Sequence, residues 1–180
     1  MEDLIRKILV EVGEDPGREG LGETPARVAR ALRELTSGYA KRPEEALQGA
    51  LFESSSRGLV VCRDIRFVSL CEHHLLPFHG TMTVGFKPAG RLVGISKLVR
   101  LAEVFARRLQ VQERLGQQIL EVMEEQLRPA GALVSIRALH LCMVARGVRQ
   151  SEATMETLHT SGVFEGDPGL VRLVLHGRSE

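Results

Sequence analysis

Apolar residues recur at helical spacing near both ends of the chain and alternate in its middle. Leu4, Ile5, Ile8, Leu9 and Val12 form the stripe of an amphipathic helix, with Asp3 placed to cap it. Gly13 to Gly22 is glycine-rich and charged, which reads as a loop. Thr24-Pro25 predicts a second helix, a capping hydroxyl followed by proline at the first helical position. Val28, Ala29, Leu32 and Leu35 would face inward until Ser37-Gly38 stops it. Pro43 to Leu47 adds a short helical turn, and the run ESSSRG from Glu53 to Gly58 is a surface connection.

The period then changes to two. Leu59-Val60-Val61 and Ile65-Arg66-Phe67-Val68 predict one long strand or two. After a polar knot, His79 to Phe86 alternates and should pair back antiparallel, with Pro88-Ala89-Gly90 as the following turn. Gly94-Ile95-Ser96 leads into a helix carrying Leu98, Leu101, Val104, Phe105 and Leu109. A second helix with Leu115, Ile119, Val122, Met123 and Leu127 follows after little or no break and ends at Arg128-Pro129-Ala130-Gly131. Ala132 to Leu141 returns to strand, Thr154 to Thr160 is the last strand, and Asp167-Pro168 starts a final short helix. This order predicts an α+β fold, an antiparallel sheet of four strands backed by two helices, with a helical segment in front. Residues 1–57 form that segment and residues 58–180 the main domain.

Composition narrows the function classes. At 180 residues and 43% hydrophobic content the chain can build one real core. A net charge of +1 implies no polyelectrolyte partner, and 4% aromatics without tryptophan argue against a base-stacking nucleic-acid platform. Three cysteines suit a reducing cytoplasm better than a disulfide framework. The N-terminus lacks the layout of a signal peptide and no apolar run reaches membrane-spanning length, so no membrane partner is expected.

The chemistry concentrates in two knots, SLCEHHLLPFHG from Ser69 and His140-Leu141-Cys142. Cys71 and His74 are three apart, a spacing that puts both on one side of a tight turn. His140 and Cys142 are two apart, which on a strand gives a shared face. Thiolate and imidazole donors suit zinc. His73 and His74, as neighbours, should point apart, so one of them is expected on a metal. Cys71, His74 and Cys142 would make an open, catalytic site, with His73 and His140 as proton donors and acceptors. With His140 as a fourth ligand the site would be closed and structural, and spacing leaves both readings open.

Ser96, Lys97 and Arg100 lie at a helix start, a place that binds anions unless they merely cap and solvate it. Arg146 and Arg149 follow Cys142 and could join them around a polyphosphate. Glu113 opens the second long helix roughly 200° from its buried stripe, either as a first-turn carboxylate favoured by the helix dipole or as an acceptor for the N–H groups of a heterocycle. Cys62 reads as a small buried strand residue, and His79, His159 and His176 have no evident partner.

Four motifs in this order, CEHHLLPFHG, GISKLVR, QVQERLGQQI and HLCMVARGVR, resemble those of the GTP cyclohydrolase I family, as does ETPARVA near the N-terminus. The resemblance runs from about Thr24 to Gly162. It implies hydrolysis of GTP to formate and 7,8-dihydroneopterin triphosphate, the first step of folate and pterin synthesis. It implies Zn2+ on Cys71, His74 and Cys142, with a water activated to attack C8 of guanine. His140 would protonate the adjacent ring nitrogen, His73 would act as a second acid/base, and Ser96 would assist the ribose rearrangement. Glu113 would take the guanine N–H edge and Gln112 would contact the nucleoside. Lys97, Arg100 and Arg146 would hold the triphosphate, with Arg27 reaching over from a neighbouring subunit. The implied fold is the tunnelling fold, a four-stranded antiparallel sheet with two helices on one face. The implied assembly is a decamer of two stacked pentamers. Two other readings stand beside it: a pterin or deazapurine enzyme of the same fold, and a zinc-stabilised binding module without chemistry. A nitrile-reducing relative would need a thioimide-forming cysteine, for which the sequence offers no placed candidate.

Overall fold

The computed structural model describes residues 1–177. Its element order follows the period changes closely. Helices α1 (Glu2–Glu11) and α2 (Thr24–Leu35) come first, then 3-10 turns at Ser37–Ala40 and Pro43–Ala46. Strands β1 (Leu51–Glu53), β2 (Val60–Cys71), β3 (Pro77–Lys87) and β4 (Arg91–Val93) follow. Then come α3 (Ile95–Ala106), β5 (Leu109–Gln110), α4 (Gln112–Leu127), β6 (Gly131–His140) and the single-turn α5 (Leu141–Val144). Strand β7 (Thr154–Thr160), a 3-10 turn at Gly162–Phe164 and α6 (Pro168–His176) close the chain.

The α+β class is as the pattern predicts, but the sheet is not the expected four-stranded antiparallel one. It has five strands in the order β5-β2-β3-β6-β7 and is mixed, because β5 runs parallel to β2. The reason lies in the gap between the long helices. Leu109 is not the last apolar residue of α3: α3 ends at Ala106, and Leu109 and Gln110 pair with Leu70 and Cys71 before α4 begins. A two-residue strand is too short to show a period. A second, two-stranded sheet joins β1 to β4, so residues 51–53 are tied to the body of the domain. Leu47, fully buried, belongs to the same core.

Parity decides which residues meet the helices. In β3 the even positions Phe78, Met82, Val84 and Phe86 face α3 and α4, and in β6 so do Ala132, Val134, Ile136, Ala138 and, at the end, His140. Strand β2 changes parity midway. Val60 and Cys62 pack on the helix side before Asp64, and Ile65, Phe67 and Cys71 after it. The register moves from Cys62↔Val84 to Ile65↔Met82, one extra residue on β2, and Asp64 takes φ 58°. This bulge delivers Cys71 to the inner face at the end of the strand. Gly80 on β3 lets β6 come close: a Cβ there would lie 2.7 Å from Ala138 Cα.

Helix α4 buries Leu115, Ile119, Leu120, Val122, Met123 and Leu127, and each such side chain contributes about 1.5–3 kcal/mol. It ends on Arg128 in the left-handed region at φ 49°, a position more often glycine. Helix α6, capped by the Asp167 carboxylate accepting from Leu170 N at 2.9 Å, covers part of the other sheet face with Leu133, Phe164 and Val174. Helix α1 departs from expectation. Asp3 lies inside its first turn rather than capping it, and no residue of α1 is buried, Leu4 and Ile8 being 61% and 54% exposed. No helix among the described residues is long and apolar enough to cross a membrane.

Candidate metal centre

The two knots meet where β2 ends, β3 begins and β6 ends. Between Cys71 and Pro77 the chain turns in a tight loop. His74 N and Leu75 N both donate to Cys71 O, at 3.3 and 2.8 Å, and Cys71 N donates to Leu76 O at 2.9 Å. Leu75 takes φ 54° to close it. The turn brings His74 Nδ1 to 3.9 Å from Cys71 Sγ. Cys142 arrives differently from the expectation. It is not on a strand with His140, because β6 ends at His140 and Cys142 sits in the single turn of α5. That change of backbone separates the two residues. Cys142 joins Cys71 and His74, all three ligand atoms lying within 4.8 Å of one another. Tetrahedral coordination with bonds of about 2.0–2.3 Å requires ligand separations of roughly 3.3–3.8 Å, so only small side-chain adjustment separates this group from a coordinating one. The donor set, two sulfurs and one imidazole, fits a borderline-soft ion. Burial, and then the neighbouring Cys71 sulfur, push the Cys142 thiol up, a cost that a bound cation reverses.

His140 stays outside that group. Continuing the even face of β6, it is 9% exposed, and its ring stacks on Phe78, its cross-strand partner, with centroids 4.6 Å apart and planes at 6°. Its Nε2 meets Gln112 Oε1 at 2.9 Å. Burial pushes the His140 ring down from the ordinary imidazole value, and the Glu113 carboxylate opposes that shift. Gln112, the first residue of α4, is itself 1% exposed. Its amide nitrogen donates to Ile136 O at 3.0 Å, Met155 O at 3.1 Å and Thr157 Oγ1 at 3.3 Å. Gln112 is thus a fixed bracket between β6, β7 and the His140 ring. Its side chain is occupied within the protein rather than presented outward.

The remaining expected residues are not part of this cluster. His73 has its Nδ1 at 3.9 Å from Cys71 Sγ, like His74, but its ring is 64% exposed and it is not one of the clustered ligands. Glu113 is exposed on the first turn of α4. Ser96 and Arg100 are exposed on the first turns of α3, and Lys97 Nζ donates to Gln48 O at 3.4 Å. Arg146 and Arg149 are exposed after α5. Arg27 on α2 donates to Gly20 O at 3.2 Å, within its own segment. Sequence reasoning passed over the partner of Arg114. Its guanidinium donates to the Glu72 carboxylate and holds that group below the usual carboxylate range. No periodicity marks that pair, since its halves lie in different elements.

These features describe an α+β protein in which a three-residue metal-competent centre sits beside a buried, oriented histidine. The chain belongs to the GTP cyclohydrolase I family: the family model of that description matches residues 1–177. It is 50% identical to GTP cyclohydrolase 1 of Leptospira biflexa over 93% of this chain and 92% of that protein. It is 52% identical to GTP cyclohydrolase 1 of Gloeobacter violaceus over 92% of this chain and 77% of that one. With GTP cyclohydrolase 1 of Dictyostelium discoideum it shares 46% identity over 93% of this chain and 72% of that one.

Proposed function

We propose that the protein is a zinc-dependent GTP cyclohydrolase that converts GTP to formate and 7,8-dihydroneopterin triphosphate at the start of folate and pterin synthesis. The observation that carries this reading is the division of labour between the knots. Cys71, His74 and Cys142 converge, while His140 is engaged by Gln112. Three protein ligands leave one position free, which supports a catalytic rather than a closed structural site. Zinc held there supplies a nucleophilic water at neutral pH.

The chain's own residues supply the rest. C8 of a purine is a weak electrophile, so the ring nitrogen beside it must take a proton as C8 becomes tetrahedral. His140 is the donor in this reading. Its Nε2 meets Gln112 Oε1 at 2.9 Å, which fixes the ring. His73, exposed in the metal loop, serves as a second acid/base in the later steps, with Ser96 at the ribose. Glu113 accepts the N–H edge of guanine; adenine would leave that carboxylate without its donors. Lys97, Arg100 and Arg146, with Arg27 from a neighbouring subunit, hold the triphosphate. That group is remote from the bond changes, so its binding anchors the base. The family implies an oligomer, and the proposed form is a decamer of two stacked pentamers in the cytoplasm, with residues 58–180 carrying the chemistry. A five-stranded sheet has two edges, and sharing them around a ring would remove them.

The test is formate release from GTP. Zinc-loaded protein is expected to release it, chelation to stop it, zinc to restore it, and Cys142→Ala to abolish it. Undiminished turnover by metal-free protein would overturn the reading.

A further inference from the structure

The first turn of α4 sends three consecutive side chains in three directions. Gln112 goes to His140, Glu113 to solvent, and Arg114 back to the metal loop. We propose that Arg114 is a positioning residue that fixes the loop Cys71–His74 relative to the start of α4, and so holds the metal ligands in place. This rests on the metal site proposed above.

The geometry is a braced fork. Arg114 Nε donates to Gln110 Oε1 at 3.1 Å, and Nη2 donates to Leu109 O at 3.1 Å and to the Glu72 carboxylate. Gln110 is 1% exposed and donates through Nε2 to Phe105 O at 3.2 Å and to Gln118 Oε1 at 2.9 Å. The brace therefore reaches α3 and the second turn of α4. From the other side, Glu72 N donates to Gln110 O at 3.0 Å, and Gln110 is the strand partner of Cys71. Glu72 follows Cys71 directly and stands two residues before His74. Both histidines of the loop are exposed, and Leu75 closes it in the left-handed region, so apolar packing does not hold His74. An isolated exposed ion pair contributes little. Here one planar guanidinium meets three acceptors at fixed angles, which a lysine cannot reproduce. Partners that orient metal ligands typically change metal affinity by about 10- to 100-fold.

The experiment is zinc competition against a chromophoric chelator, with thermal melting alongside. The proteins are the parent, Arg114→Met, Arg114→Lys, Glu72→Gln and the Arg114→Met/Glu72→Gln double variant. Each single variant is expected to bind zinc roughly 10-fold more weakly. The double variant should be no weaker than Arg114→Met, because both changes cut one link. A merely structural Arg114 would lower the melting temperature and leave zinc affinity of the folded protein at the parent value, which would overturn the proposal, as would additive losses. Glu72→Gln, nearly isosteric and near the surface, decides the matter should Arg114→Met fold poorly. Formate release is not the readout. A parent protein that binds zinc yet leaves GTP intact would refute the proposed function and still allow these affinities to be judged, whereas a parent that binds no zinc would refute both.

Discussion

Replacing Gln112 with methionine keeps the length and approximate volume of the side chain and removes every polar contact it makes. The His140 Nε2 partner at 2.9 Å disappears inside the protein, and a buried ring nitrogen left alone costs about 1–3 kcal/mol. Ile136 O, Met155 O and Thr157 Oγ1 lose a shared donor, each at roughly 0.5–1.5 kcal/mol or less where other partners remain. Burying a thioether instead of an amide returns part of this, so the net loss should be about 2–4 kcal/mol. In a chain of this length that lowers the melting temperature by roughly 5–15 °C. Turnover should suffer separately. With His140 free to turn, kcat should fall by roughly 10- to 100-fold, within the range of general acid–base contributions. The assay is formate release at varied GTP, with urea melts of the same samples. A bracket for His140 predicts a fall in kcat with little change in KM; a direct contact with the nucleoside predicts a rise in KM. Gln112→Glu sharpens the contrast, since a carboxylate against the imidazole raises its pKa and should move the pH profile of kcat alkaline. A Gln112→Met protein with parent-like stability and kcat would refute the assignment.

Other outcomes follow from the same geometry. His140→Gln should retain zinc at the parent stoichiometry and lose about 10²–10⁴-fold in formate release, whereas loss of the metal would restore the closed four-ligand site. Because burial depresses the His140 pKa, folding favours its neutral ring. The stability this contributes is fully present above about pH 6.5, the ordinary imidazole value, and is lost as pH falls through the lower folded value. Urea midpoints of the parent should therefore drop more steeply below pH 6.5 than those of His140→Gln; parallel curves would contradict that. Gly80→Ala should destabilise by about 2–4 kcal/mol or prevent soluble expression, since its Cβ would press on the backbone of β6, 2.7 Å from Ala138 Cα. Ordinary melting behaviour in that variant would show that the strands can separate without cost.

Where a period ran over several turns or pleats, the fold was legible. The stripe of α4, that of α3 as far as Phe105, and the alternation in β3 and β6 appear as expected. Strand β5 was not, because two residues carry no period and its pairing with Cys71 is long-range. Spacing found Cys71 and His74 for the right reason, a tight turn. Spacing left the place of His140 open; Cys142 lies beside Cys71 and His74, and the assumed common strand face of His140 and Cys142 failed, since α5 starts between them. Continuing the even parity of β6 through Ile136 and Ala138 to His140 would have turned that ring inward onto Phe78. Nothing in the sequence pattern pairs Arg114 with Glu72, because the bend of β2 into its loop brings them together. The stripe of α1 was read correctly as amphipathic, yet its residues stay exposed or at most half-buried, as Ile5 and Leu9 are.

The account depends on an ion held by three protein ligands with one position left open. X-ray absorption at the zinc edge of the zinc-loaded protein tests this directly. Two sulfurs at about 2.3 Å, one nitrogen at about 2.0 Å and one light oxygen donor are expected, with the spectrum unchanged in His140→Gln. A shell of two sulfurs and two imidazole nitrogens that loses one nitrogen in His140→Gln would contradict it.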